Sequence, residues 1–184
     1  MRQGQNRLGI ADMAYIALFA AVIAICSWMA IPAAVPFTLQ TLGIFLAVGV
    51  LGGRRGTLAV LVYLLLGAIG LPVFSGFEGG LGKLLGATGG YIIGFVGSAL
   101  VMWAMERLPL REGWRLPLSM VLGLVVCYAF GTAWFMQVYA HQSGEIGLMS
   151  ALTMCVFPFV VPDLIKIGLA QIIAKRLKAA VRLR

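Results

Sequence analysis

The chain of 184 residues is long enough for one compact domain, yet 61% of it is apolar and only 11% is charged. An ordinary soluble domain carries about a quarter charged residues, so a chain with a mean hydropathy of +1.01 would have too little polar surface to cover itself in water. The net charge of +8 does not indicate nucleic-acid binding, because the basic residues lie in short clusters between long apolar runs.

Apolar runs long enough to cross a bilayer divide the chain into segments of about 20 residues. Pro32 and Pro36 mark the break between the first two segments, because proline disrupts a helix interior. The sequence therefore predicts an all-α membrane protein, a single domain over residues 1–184 with six transmembrane helices in a compact bundle. The predicted spans are 12–31, 37–53, 56–74, 84–106, 116–140 and 147–174.

The distribution of lysine and arginine predicts the orientation of this bundle. With six spans, 12 of the 14 basic residues fall in the terminal segments and the 2–3 and 4–5 connections, which share one side. Lys83 is alone on the opposite side, and Lys166 lies within a span. Because cytoplasmic loops are enriched in basic residues, both termini are predicted to be cytoplasmic.

The first external connection is apolar but broken by prolines. Irregular backbone at membrane depth is tolerated where protein covers it or where it lines a cavity. Phe37 is predicted to pack on a ligand, while Thr38 and Gln40 offer hydrogen bonds. The alternative is a plain re-entrant connector capped by Thr38.

The second external connection, residues 71–91, is rich in glycine and is predicted to form a lid. It carries Ser75, Glu78 and Tyr91. Its segment 79–83 does not match a phosphate-binding loop, because Leu84 stands where serine or threonine is required. The chain is therefore not expected to hydrolyse ATP itself. Tyr128 and Trp134 are further candidates to reach a cavity.

Asp163 and Lys166 are charged residues inside the last predicted span. Each costs about 2.5–3.5 kcal/mol at a helix centre, and a spacing of three residues places them on one helix face. Paired intramembrane charges usually face an interior cavity, so we expect a polar site in which Asp163 accepts N–H groups and Lys166 attracts an anion. The alternative is an internal salt bridge without a ligand.

Other residue patterns argue against metal binding and catalysis, and they leave open what packs against the first helix. Cys26, Cys127 and Cys155 lie in apolar runs without metal-binding spacing and are interpreted as packing residues. No catalytic motif and no metal site is predicted. Ala17 and Ala21 form a small-xxx-small pair, which permits close helix approach either within the bundle or by a separate membrane protein.

Several segments together resemble the BioY family, the biotin-specific substrate-binding (S) components of energy-coupling factor (ECF) transporters. The resemblance covers about residues 12–175. It rests on Val35–Gly43, Gly53–Gly56, Tyr63–Phe74, Thr88–Phe95 and Pro162–Lys166.

The resemblance implies a six-helix S component of the bacterial cytoplasmic (inner) membrane that captures biotin from outside, is not an enzyme and needs no cofactor. A transmembrane coupling subunit and two cytoplasmic ATPase subunits would supply energy, with Ala17 and Ala21 similar to the family's docking face. Lys166 is assigned to a polar end of biotin, most simply the carboxylate, and Asp163 to the ureido N–H groups or to orienting Lys166. Phe37, Thr38, Gln40 and Tyr91 are pocket candidates, and Ser75 or Glu78 would replace an asparagine that the family often has.

Two other functions compete with biotin uptake. One is an S component for another small vitamin, although a cationic ligand would sit poorly beside Lys166. The other is a membrane-embedded lipid-modifying enzyme, which is disfavoured because the sequence has no acidic metal-binding cluster.

Overall fold

Helices form most of the structure, a computed structural model that describes residues 8–31, 35–109, 111–144 and 146–180. Pro32 and the terminal arginines, Arg2, Arg7, Arg182 and Arg184, lie outside these ranges. In chain order the helices are α1 (Ile10–Trp28), α2 (Gln40–Leu51), α3 (Gly53–Ala68), α4 (Leu81–Leu85), α5 (Gly89–Met105), α6 (Glu112–Ser143), α7 (Leu148–Cys155) and α8 (Phe157–Ala180).

Three of the helices in the described ranges are long and apolar enough to cross a bilayer: Ile10–Trp28, Gly113–His141 and Phe157–Lys178. Helices α2 and α5 are apolar but shorter, at 12 and 17 residues. Helix α3 has 16 residues and carries Arg54 and Arg55 in its first turn. The chain is therefore a predominantly helical protein with helices that are long and apolar enough to cross a membrane, and the count of six spans stays a prediction.

The structure departs from the predicted segments at several places. Helix α3 ends at Ala68, before the predicted end at 74, and the predicted span 84–106 is divided because α4 ends at Leu85 and α5 begins at Gly89. Residues 147–174, predicted as one span, form α7 and α8 with a break at Val156, and Pro158 is the second residue of α8. Proline suits a helix start because its missing N–H would have no partner there. In the connection between α1 and α2, β1 (Ala30–Ile31) pairs antiparallel with β2 (Phe37–Thr38), so α2 begins only at Gln40.

The inner faces of the helices form one continuous apolar core. Helix α5 packs along α6, while α2 lies against α1, α3 and α8. Fully buried side chains at the centre include Ile23, Phe45, Tyr63, Met102 and Met120. Outward-facing residues such as Leu65, Val125 and Ile165 are apolar and more than half exposed, as expected for surfaces that contact lipid.

Helices α2 and α3 turn back on each other through a glycine pair that allows very close packing. Gly52 adopts a φ of +81°, a conformation that favours glycine. A Cβ atom at Gly53 would lie 2.4 Å from the ring of Trp103 on α5. The start of α3 therefore packs closely against the end of α5. Because the chain reverses direction at this turn, α2 and α5 both begin at the opposite end of the bundle.

Candidate functional site

A cavity lies at the end of the bundle where α2, α5 and α8 begin. It contains about 620 Å³ of space between atoms, including the solvent-filled space at its opening. The wall is completed by the connection between α1 and α2, the glycine-rich segment before α5 and the middle of α6. The lining residues are Val35, Pro36, Thr38, Gln40, Thr41, Ser75, Lys83, Thr88, Tyr91, Ile92, Phe95, Cys127, Tyr128, Cys155, Phe159, Asp163 and Lys166.

Asp163 and Lys166 form a buried ion pair on the cavity wall. Their residues are only 3% and 4% exposed, and Lys166 Nζ donates to Asp163 Oδ1 at 2.7 Å. Lys166 Nζ also donates to the Thr38 carbonyl oxygen at 2.6 Å and lies 4.3 Å from the centre of the Phe37 ring. The ammonium group thus ties α8 to β2 by a charge-assisted hydrogen bond and a cation–π contact.

Asp163 accepts further hydrogen bonds from two other helices. Thr41 Oγ1 of α2 donates to Asp163 Oδ1 at 2.9 Å, and the Tyr128 hydroxyl of α6 donates to Oδ2. An ionised carboxylate offers about four acceptor positions, so three are filled within the protein. The carboxylate therefore joins α2, α6 and α8 at one point.

Tyr91 of α5 lines the cavity. The hydroxyl shares a 2.9 Å hydrogen bond with Thr132 Oγ1 on α6. Its ring lies against Gly131, where a Cβ atom would be 2.2 Å from the Tyr91 ring. The Cys127 thiol lies 3.6 Å from the Tyr91 carbonyl oxygen. Close α5–α6 packing thus determines where the tyrosine hydroxyl lies.

Gln40 and Thr38 form a polar pair at the start of α2. The Thr38 hydroxyl donates to Gln40 Oε1 at 3.1 Å, and Gln40 Nε2 donates to the Tyr63 hydroxyl of α3 at 2.5 Å. The Phe37 side chain stacks on Phe159 with ring centres 6.0 Å apart. Phe37 is therefore next to the site, in contact with Lys166 and Phe159, without lining the cavity itself.

The glycine-rich connection covers the cavity and is held by aromatic side chains. The indole N–H groups of Trp28 and Trp134 donate to the Pro72 and Gly86 carbonyl oxygens at 2.9 and 3.0 Å. Ser75 lines the cavity, whereas Glu78 pairs with Lys83 at 2.6 Å and its side chain is 54% exposed. Within the described residues, Glu78 is thus placed at the surface of the connection, and Lys83 is the charged lining residue there.

Sequence patterns named many of the residues that the cavity brings together. Of the eight predicted substrate-binding residues, Thr38, Gln40, Ser75, Tyr91, Asp163 and Lys166 line it, as does Tyr128. The indole of Trp134 instead supports the connection above. The sequence prediction missed Thr41, Phe159, Cys127 and Cys155. Nothing in the sequence around the two cysteines distinguishes a cavity-lining residue from a packing residue. Thr41 could have been predicted, because it is a polar residue that directly follows Gln40.

The alanine pair on α1 faces away from the cavity. Ala17 and Ala21 are exposed, whereas Ala20 and Ala24 are buried in the bundle. Ala17 contributes to a shallow apolar groove between α1 and α3. One small-residue face of α1 thus packs internally, and the other is open.

Within the described ranges, no group of three or more His, Cys, Asp or Glu residues could hold a metal ion.

Fold and site together define a helical membrane protein with a small-molecule cavity that holds a buried ion pair. The family model described as the BioY family matches residues 1–183, and the chain belongs to this family.

Similar proteins cover nearly the whole chain. It is 43% identical over 162 residues to the biotin transporter BioY of Thermotoga maritima, with 88% of this chain and 92% of that protein covered. It is 37% identical over 179 residues to the biotin transporter BioY of Rhodobacter capsulatus, with 89% and 91% covered. A crystal structure of the S-component for biotin from an ECF-type ABC transporter superposes with a TM-score of 0.81 at 29% identity, with 96% and 95% covered.

Proposed function

We propose that this chain captures biotin in the cavity and serves as the substrate-binding component of an ECF-type transporter in the bacterial cytoplasmic membrane. The observation that carries the proposal is the buried Asp163–Lys166 pair on the wall of the cavity, in a chain of the BioY family. Two relatives that support it are named biotin transporters. The chain thereby acts as a transport component and not as an enzyme.

Lys166 is the proposed contact for the carboxylate of biotin. A lysine ammonium has three donors, and two of them are used on Asp163 and Thr38. The third is available to a ligand anion without breaking either bond. The buried position strengthens this contact, because electrostatic attraction is greater where water is excluded.

The remaining walls suit the other parts of biotin. Asp163 has one unfilled acceptor position, so it can take one ureido N–H without losing an internal donor. Tyr91 and Gln40 supply further polar atoms at the cavity, and Thr38 and Ser75 are proposed to do so as well. Ile92, Phe95 and Phe159 offer apolar surface to the fused rings. Phe37 is proposed to act indirectly, by holding Lys166, and Glu78 by holding Lys83 over the cavity.

The arrangement in the membrane is part of the proposal. The helices are proposed to make six spans with both termini cytoplasmic, which places the cavity in the outer half of the bundle. The open face of α1 with Ala17 and Ala21 is the proposed contact for a transmembrane coupling subunit, and two ATPase subunits would complete the module. The exposure of this alanine face supports docking to a separate membrane protein.

The direct test is purification of the full chain in an uncharged detergent without added ligand. We expect mass spectrometry to recover biotin from the purified protein and a titration to show saturable biotin binding. Recovery of a different vitamin, together with no biotin binding in the titration, would overturn the proposal. Titration of the Lys166→Met variant then separates the proposed site from adventitious uptake by the detergent micelle.

A further inference from the structure

A second cavity lies at the opposite end of the same helices. It is about 12 residues further along α8, or ~18 Å at the rise of an α-helix. The space between its atoms is about 1300 Å³, including the solvent-filled space at its opening. Residues from α2, α5, α6 and α8 line it, namely Val48, Met102, Glu106, Gly113, Arg115, Leu116, Ser119, Gln171, Lys175 and Lys178. We refer to this cavity as the basic cleft.

Positive charge dominates the basic cleft. Among the lining side chains that the structure describes, Arg115 of α6 and Lys175 and Lys178 of α8 are cationic, and Glu106 is acidic. Glu106 Oε1 already accepts the Gly53 backbone N–H at 2.7 Å, so part of its charge is directed to the start of α3. The described lining thus carries three basic side chains and one acidic side chain. A cleft of this kind concentrates anions.

Apolar surface continues from the basic cleft along the outside of the bundle. Its floor includes Val48 and Met102, which are 2% and 1% exposed. Above Arg115, Leu118 and Leu122 follow at helical spacing on the outer face of α6, and Ile172 stands one turn above Lys175 on α8. These three residues are 41%, 39% and 55% exposed. Charge in the cleft and exposed apolar stripes beside it suit a ligand with an anionic head and apolar chains.

We propose that the basic cleft binds the phosphate headgroup of an anionic membrane phospholipid. Arg115, Lys175 and Lys178 contact the phosphate oxygens, and the acyl chains lie along the stripes of α6 and α8. Arginine suits this role because its planar guanidinium can donate two parallel hydrogen bonds to phosphate. Basic pockets between transmembrane helices are recognised headgroup sites. The proposal stands independently of biotin binding, because it uses none of the residues of the first cavity.

The test uses the purified full chain in an uncharged detergent, with phosphatidylglycerol, phosphatidylcholine or inorganic phosphate added at matched concentrations. Native mass spectrometry counts bound lipid, and thermal unfolding measures stabilisation. The test variant is Lys175→Gln/Lys178→Gln. The matched control is Arg111→Gln/Arg176→Gln, which removes two exposed charges from the same end but outside the cleft.

We expect wild-type protein to retain phosphatidylglycerol in preference to phosphatidylcholine, and the test variant to bind it about 30-fold more weakly, or about 2 kcal/mol. The control should keep its affinity. Equal retention of both lipids by wild-type protein would overturn the proposal, even if the test variant failed to fold. An equal loss of phosphatidylglycerol affinity in the test and control variants would indicate binding to diffuse surface charge, and it would overturn the assignment of a site in the cleft. Full stabilisation by inorganic phosphate alone would indicate a free-anion site and overturn the lipid assignment.

Discussion

Replacing Lys166 by methionine is the sharpest test of the proposed biotin site. Methionine keeps most of the side-chain volume but removes the ammonium that bonds to Asp163 and Thr38. Hydrogen bonds to charged groups contribute about 1.5–3 kcal/mol, so loss of the contact to the biotin carboxylate should weaken binding about 10- to 150-fold. The measurement is titration calorimetry in detergent, with Arg111→Met as the control for loss of an exposed basic residue.

The same substitution should also lower stability, because it leaves a buried carboxylate without its charge partner. Removing one member of a buried ion pair costs about 3–5 kcal/mol. Thr41 and Tyr128 still donate to Asp163, so we expect the lower end of that range. The double variant Asp163→Asn/Lys166→Met removes both charges and should unfold at a higher temperature than Lys166→Met alone. Such a recovery would show that the stability loss comes from the unpaired carboxylate.

One result would refute the reasoning about this pair. If Lys166→Met binds biotin as tightly as the wild-type protein, the pair is a structural salt bridge and not a ligand contact. Lower stability with unchanged affinity would have the same meaning.

Three other substitutions test neighbouring features. Tyr128→Phe removes a donor to Asp163 and should weaken biotin binding about 10-fold in the same titration, since the bond involves a charged group. Unchanged affinity would show that the Tyr128 hydroxyl does not contribute to biotin binding. Gly131→Ala should displace the Tyr91 ring and lower both affinity and thermal midpoint, whereas Gly168→Ala, which meets open space, should not. In a background without native cysteines, Lys83→Cys should react with an impermeant thiol reagent added outside cells; labelling only from inside would overturn the proposed orientation.

The sequence allowed the charged part of the cavity to be predicted because charge is rare inside apolar runs. Asp163 and Lys166 stand out there, and their spacing of three residues places both on one face of α8. Thr38 and Gln40 stand out for the same reason, as polar residues beside a proline-broken segment. These residues do line the cavity.

The apolar part of the cavity could not be predicted in the same way. Helices α5 and α6 are apolar on several faces, so periodicity does not separate a core face from a lipid face. Cys127 and Phe95 line the cavity only because α5 and α6 pack closely at Gly94 and Gly131. The break at Val156 also depends on tertiary packing, because Pro158 permits a helix to start there but does not require the preceding helix to end.

Helix α1 connects the cavity cover to the proposed docking face. Near the end of α1, Ser27 Oγ donates to the Val73 carbonyl oxygen at 2.5 Å, and Trp28 Nε1 donates to the Pro72 carbonyl oxygen. These two hydrogen bonds attach the glycine-rich connection, which covers the cavity, to α1. Ala17 and Ala21 lie on the open face of the same rigid rod, about two to three turns away. A subunit that shifted α1 along its axis would pull on the cover. If docking of the proposed coupling subunit changed the affinity of the cavity for biotin, thermodynamic reciprocity would require biotin to change the affinity for that subunit by the same factor.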